Sequence, residues 1–341
     1  MNRERAVVIC PGRGSYSAQE LGYLARHHEQ RAARIADLDE QREPRGAAAV
    51  ASLDALSRFS PAKHLPGRNA SNLIYTSAVM DFAAIDQERF DIVAVCGNSL
   101  GWYLSLACAG TLSLEDGALL VDTMGDLMER EGVGGQLLLS VAHDDWTIDH
   151  ERRGMVLSLL EKIDGAYLSI DLGATLVLAG DDAALARLKR DLEAAGGDAP
   201  VRLPKHAAFH TPLLSDIAET ARGLLAADLF GAPATPLIDG RGGVHSPYAA
   251  DVDALYSYTL GAQITRTYDF AKSVEVAIKE FAPDRLILLG PGYSLGAPIA
   301  QVLIAHRWHG MTSRDDFMAQ QKRDPFLLAM GRDDQRAMTT L

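Results

Sequence analysis

The residues best suited to chemistry in this 341-residue chain are a serine between two glycines, in Gly97-Asn98-Ser99-Leu100-Gly101, and a histidine, His210, in the run Ala207-Ala208-Phe209-His210-Thr211-Pro212. A nucleophilic serine needs an exposed, constrained turn, which glycine neighbours permit sterically. The run from Asp91 to Cys96 reads as a buried strand, and the Leu-rich, small-residue stretch through Ala109 as a helix, so Ser99 falls at a strand-to-helix elbow. A hydroxyl at such an elbow becomes a nucleophile when an imidazole takes its proton. Among ten histidines, His210 is the candidate base because its short apolar run is closed by proline at a domain junction. His206 is its nearest rival, His143 and His150 read as a solvated loop, and His27, His28 and His64 read as surface.

An elbow also places the free backbone N–H of Leu100 at the start of a helix, where a developing oxyanion is stabilised. A second donor can come from the turn Gly12-Arg13-Gly14-Ser15, with the Arg13 N–H as the candidate and Gly12 and Gly14 supporting the turn. Read as a phosphate loop, this turn lacks the lysine and spacing of a Walker motif and the third glycine of a dinucleotide fingerprint, so nucleotide binding is not expected.

Several elements must hold these residues in place. Ala6 to Cys10 is a continuous apolar run, hence a buried strand, and a helix is expected from Ala18. Residues 40–70 show no clean period, and Asn72 to Ile85 reads as a buried helix. From Leu137 to Leu203 the pattern runs strand, helix (Glu151 to Asp164), strand (Ala166 to Asp171), strand (Thr175 to Ala179), helix (Asp182 to Ala195), strand. That is the order of a split ferredoxin-like unit. The expected fold class is therefore α/β: a discontinuous large domain with a parallel-sheet core, residues 1–134 and 204–341, interrupted by a ferredoxin-like α+β subdomain at 135–203. Its last strand is expected at Arg285 to Leu289, before Gly290-Pro291-Gly292, with a peripheral polar tail after Arg323.

Composition narrows the function classes. With 48% apolar residues the chain can bury a large core, and a net charge of -12 speaks against nucleic acid or an anionic membrane as partner. The start, Met1 to Arg5, lacks the features of a signal peptide and no stretch nears the roughly 20 apolar residues of a membrane span, so a cytoplasmic location is expected. Cys10, Cys96 and Cys108 lack metal-ligand spacing and read as reduced and structural.

Four segments taken together, Gly12-Arg13-Gly14-Ser15, Gly97-Asn98-Ser99-Leu100-Gly101, Ala208-Phe209-His210-Thr211 and Gly290-Pro291-Gly292, resemble the malonyl-CoA:acyl carrier protein transacylases and the acyltransferase domains of polyketide synthases. The resemblance implies an α/β-hydrolase-like large domain with an inserted ferredoxin-like subdomain. It implies ping-pong transfer of an acyl group from coenzyme A to the phosphopantetheine thiol of an acyl carrier protein, with Ser99 acylated and His210 as base. Acyl-CoA and acyl carrier protein are then the partners, coenzyme A is a substrate carrier, and no metal or redox cofactor is expected. The family holds its histidine with a backbone group near a glutamine, and Gln263 matches that glutamine; Leu100 and Arg13 match its oxyanion donors.

This chain departs from the family pattern at Asn98, where histidine is usual, at Arg13, where glutamine is usual, and at Met124, where malonyl-specific members carry a carboxylate-binding arginine. Met124 suits an uncharged acyl group, while Arg13 or Arg266 are alternative carboxylate ligands; Phe209 would narrow the pocket against a branched acyl chain. Three rivals stand beside this reading. The first is a hydrolase in which water takes the acyl group from Ser99, and the second a non-enzymatic scaffold that binds carrier proteins. The third is a conventional esterase using Asp284 with His306 or His309. Transfer to an acidic carrier calls for local positive charge, with Arg202, Lys205 and Arg241 as candidates.

Overall fold

The computed structural model describes residues 3–196 and 198–340, so Met1, Asn2, Gly197 and Leu341 of the expected domain spans lie outside the described residues. The apolar run after Arg5 becomes β1 (Glu4–Cys10), fully buried from Ala6 to Cys10. Strand β2 (Phe90–Gly97) lies parallel to it, with Ile9 opposite Cys96 and Cys10 opposite Gly97. Because parallel strands end on the same edge of a sheet, the turns that follow, at Gly12 and at Asn98, emerge side by side.

The chain then forms β3 (Gly135–Ser140), β4 (Ala166–Asp171), β5 (Thr175–Gly180) and β6 (Val201–Arg202). It continues through β7 (Leu237–Ile238), β8 (Val244–His245), β9 (Tyr268–Asp269), β10 (Arg285–Leu288) and β11 (Leu327–Ala329). One sheet runs β11-β10-β1-β2-β7-β8 and is parallel except for β8. The other runs β6-β3-β5-β4-β9, antiparallel until β9, which pairs parallel with β4. The mixed α/β class expected from the sequence is the one found.

Packing ties the elements that surround Ser99. The helix Leu100–Cys108 is buried along its whole length, as its near absence of polar residues demands. The helices Gly67–Phe82 and Leu114–Arg130 meet at two glycines: a Cβ added to Gly67 would lie 2.6 Å from the Gly125 carbonyl, and one added to Gly125 would lie 2.8 Å from the Arg68 Cα. No helix among the described residues is long and apolar enough to cross a membrane.

Several expectations need correction. The helix expected from Ala18 begins at Tyr23, and the buried helix expected at Asn72 to Ile85 spans Gly67–Phe82. Residues 40–70 fold into short helical pieces, which explains their lack of a long period. The sheet does not end at Arg285–Leu288: β11 adds beyond it, and the tail after Arg323 buries Phe326, Leu327, Leu328 and Met330. His28 and His64 are buried, not surface residues. His64 is satisfied by nearby backbone: its Nε2 donates to the Leu53 carbonyl at 3.0 Å and its Nδ1 accepts from the Ser60 N–H at 3.0 Å. The three cysteines are free and buried.

Candidate active site

The elbow is enforced by close backbone approach. A Cβ on Gly97 would stand 2.3 Å from the Gly101 carbonyl oxygen, and one on Gly101 would stand 2.4 Å from the carbonyl of Cys10 at the end of β1, so neither position tolerates a side chain. Between them Ser99 takes φ 57° and ψ -107°, a conformation sparsely populated by residues other than glycine and kept only where the surroundings impose it. Its hydroxyl therefore projects from the turn instead of folding into the helix.

His210 is brought to it by the loop after β6, also with positive φ, at 58°. Its Nε2 lies 2.7 Å from Ser99 Oγ, and its Nδ1 lies 2.5 Å from the carbonyl oxygen of Gln263. A carbonyl only accepts, so the proton sits on Nδ1 and the Nε2 lone pair faces the serine hydroxyl. Gln263 also ties the histidine to the elbow, since its side-chain amide donates to the Ser99 carbonyl at 3.2 Å and its Oε1 accepts from Tyr103 O–H at 2.9 Å. Tyr268 closes the set: its hydroxyl donates to the Gly97 carbonyl at 2.6 Å and its ring packs on the His210 ring. Tyr103 and Tyr268 were not singled out from the sequence; the one available signal was Tyr103, a helical turn beyond Ser99 on the same helix.

Burial pushes the His210 pKa down to about 4, with the Gln263 carbonyl pulling the other way. The imidazole is thus neutral and able to accept a proton throughout the neutral range. Since proton uptake would remove the base only as pH falls through about 4, acylation should be flat from about pH 5 to 8 and decline below that. Single-turnover acylation rates against pH test this, and a break near the ordinary histidine value of about 6.5 would contradict it.

Two backbone amides, one in the elbow and one in the glycine turn packed on it, are the candidate donors to an oxyanion. Neither the Leu100 N–H, at the first turn of its helix, nor the Arg13 N–H has an acceptor among the described residues. Gly12 packs so tightly on Asn98 that a Cβ there would lie 2.8 Å from the Asn98 carbonyl oxygen, and Gly14 takes φ 93°, so the glycine turn fits against the elbow. Together a hydroxyl, a neutral imidazole and two free amides make an arrangement suited to acyl transfer.

The loop carrying His210 is held by a chain of hydrogen bonds that sequence reading missed. His206 Nδ1 donates to Gln136 Oε1 at 2.7 Å, Gln136 Nε2 donates to Ser169 Oγ at 2.6 Å, and Ser169 Oγ donates to the Phe209 carbonyl at 2.7 Å. Ser169 lies where the β4 register on β5 shifts, a bulge that re-aims its side chain. This makes His206 part of the support and not a rival base, and burial lowers its pKa to about 3, with the Arg13 charge adding to the effect. Replacing Ser169 by alanine should leave two buried polar groups without partners, lower stability by about 1–3 kcal/mol and slow acylation about tenfold through misplacement of His210. Stopped-flow acylation of Ser169→Ala, with Ser169→Thr as the rescue, checks it.

Beside Ser99 a narrow cavity of about 60 Å³ is lined by Leu100, Tyr103, Val121, Met124, Met128, Phe209 and Arg13. Arg266 is exposed and forms no part of that wall. A wider cleft of about 580 Å³ leads outward between the two sheets, lined by apolar residues including Leu65, Leu138, Ile170, Val177 and Leu295. Of the expected basic residues, Lys205 lines a neighbouring pocket that shares Arg13 and His206 with this cleft, while Arg202 pairs with Asp182 and Arg241 with Asp239. The esterase arrangement is not assembled: Asp284 accepts from the Arg5 backbone, His306 faces Lys279 and Glu275, and His309 stacks on Trp308.

No model of a protein family matches the chain. A malonyl CoA-acyl carrier protein transacylase from Salmonella typhimurium is 27% identical over 293 residues, 83% of this chain and 88% of that protein. The polyketide biosynthesis protein ThaF from Burkholderia thailandensis is 33% identical over 159 residues, 46% of this chain and 13% of that protein. Among solved structures, the malonyl-CoA:acyl carrier protein transacylase of Xanthomonas oryzae pv. oryzae covers 99% of this chain and 98% of its own at 22% identity and TM-score 0.73. The acyltransferase domain from the second module of the salinomycin polyketide synthase covers 98% of this chain and 70% of its own at 21% identity and TM-score 0.74. These structural likenesses establish the fold.

Proposed function

We propose that this acyltransferase, a homologue of the malonyl-CoA:acyl carrier protein transacylases, moves an acyl group from coenzyme A to an acyl carrier protein through an ester on Ser99, acting in the cytosol. The observation that carries the reading is the line of contacts from Ser99 Oγ through the His210 ring to the Gln263 carbonyl, set on a glycine elbow at the base of an apolar cleft. Ser99 Oγ attacks the thioester carbonyl while His210 Nε2 takes its proton. The oxyanion is met by the Leu100 and Arg13 amides. Collapse expels the coenzyme A thiolate, which His210 protonates, and the carrier's phosphopantetheine thiol then repeats the sequence in reverse. Every proton and bond in this scheme is handled by the serine, the imidazole and the amides, so it calls for no metal or redox group. Nδ1 is held by a carbonyl where a carboxylate could stand, so the imidazolium formed in each half-reaction is stabilised by the dipole of the Gln263 carbonyl.

Intact-protein mass spectrometry after mixing with acyl-CoA, followed by a chase with holo carrier protein, tests the reading. An adduct that moves to the carrier supports it. An adduct released only to water indicates the hydrolase, and no adduct with any thioester indicates the scaffold.

A further inference from the structure

The acyl-transfer reading leaves the acyl group open, and a charged side chain in the cavity beside Ser99 deepens it on that point. The helix Leu114–Arg130 presents Met124 to this cavity, so no cation comes from that position. One comes from another element. Arg13 leaves the glycine turn and reaches the same wall: its Nη2 donates to the Leu65 carbonyl at 3.0 Å, and its guanidinium lies 5.7 Å from the centre of the Phe209 ring. A Cβ built on Gly67 would lie 2.6 Å from the Gly125 carbonyl and 3.6 Å from Arg13 Nη1, so Nη1 lies beside Gly67, which itself packs on Gly125, the residue following Met124.

This guanidinium is underused. Arg13 as a whole keeps partial exposure, but its charged end is buried, and it forms no ion pair among the described residues; Glu129 acts on it only from a distance. Burial lowers its pKa to about 10, which leaves it protonated at neutral pH. A buried cation with spare donors and no anion is unfavourable unless something anionic completes it. A planar guanidinium suits a carboxylate in particular, through paired N–H donors.

We propose that the Arg13 side chain is the carboxylate-binding group of this acyl pocket, so that the acyl donors are short dicarboxylic monothioesters. One residue then has two roles, with its amide toward the oxyanion and its guanidinium toward the far end of the acyl group. The phosphates of coenzyme A are the other anions at hand, but the pantetheine arm separates them from the thioester and places them toward the cleft mouth.

The test is competition between malonyl and butyryl thioesters for Ser99 of the wild-type protein, read as the ratio of the two adduct masses. It is run once with coenzyme A and once with N-acetylcysteamine, which carries no phosphate. Malonyl should be preferred on both carriers, and Arg13→Gln should shift the ratio toward butyryl by about 10- to 100-fold on both. Butyryl acylation equal to or above malonyl in the wild type overturns the proposal, and requires no variant. So does an Arg13→Gln ratio within twofold of wild type, or a loss confined to the coenzyme A esters, which would assign Arg13 to phosphate. If no thioester acylates Ser99, the transfer reading fails, and calorimetry of malonyl-CoA against butyryl-CoA on the Ser99→Ala protein still decides this one: tighter malonyl binding that Arg13→Gln removes supports it, and equal binding overturns it.

Discussion

Ser99→Ala should abolish the acyl-enzyme: no mass adduct with any acyl-CoA, and a turnover rate at least about 10⁴-fold below wild type. The expectation follows from what remains after the change. The Leu100 and Arg13 amides would still polarise a carbonyl, and the cleft would still bind the thioester. With no hydroxyl on residue 99, however, His210 Nε2 has only water to activate, and the proposed ping-pong transfer has no covalent carrier. His210→Ala should fall to a similar level, and Ser99→Ala/His210→Ala should be no worse than either, because the two residues act as one unit separated by 2.7 Å. Each variant should retain its melting temperature within a few degrees. An adduct on the Ser99→Ala protein would assign the nucleophile elsewhere, and additive losses in the double variant would mean that serine and histidine act independently.

The parts of this site that could be read from the sequence are those encoded locally. The apolar runs before Gly12 and Gly97 specify buried strands, and the glycine spacing around Ser99 specifies the turn, because close approach leaves no room for a Cβ on either glycine. His210 was legible through its context, and the matching of Gln263 came from resemblance, since nothing in Ala262-Gln263-Ile264 announces that its carbonyl accepts from an imidazole. What stayed hidden depends on register between distant strands. Ser169 and Gln136 are 33 residues apart and meet only because β5 lies between their strands and a bulge turns Ser169 toward the Phe209 carbonyl. Arg13 was legible as a turn residue, but the path of its side chain to the wall beside Met124 depends on the packing of two helices at Gly67 and Gly125.

The largest loss of stability from a single change outside the site should come from Asp81, in the cluster that the polar tail concealed. Its buried carboxylate accepts from Tyr23 O–H at 2.7 Å, His28 Nε2 at 2.8 Å, the Gly290 amide at 2.7 Å and Arg336 Nη1 at 2.7 Å. Burial alone would raise its pKa, but the His28 hydrogen bond and the Arg336 charge outweigh this and hold it below the usual carboxylate value. The tail therefore brings a nearly buried arginine into the core, where the carboxylate compensates it. Asp81→Leu leaves that charge unpaired and should lower stability by about 3–5 kcal/mol, read as a lower midpoint in urea at unchanged slope. Asp81→Leu/Arg336→Leu should recover part of the loss, because two apolar groups tolerate burial better than one orphaned cation. The effect should also reach the active site. Gly290 begins the loop in which Gly292 packs on Ser15, where a Cβ would lie 2.6 Å from the Ser15 carbonyl, and Ser15 closes the turn that presents the Arg13 amide. At denaturant concentrations where Asp81→Leu is still folded, acylation should already be slower than in wild type. Unchanged stability would mean that Arg336 finds another anion or solvent, and that the tail is peripheral after all.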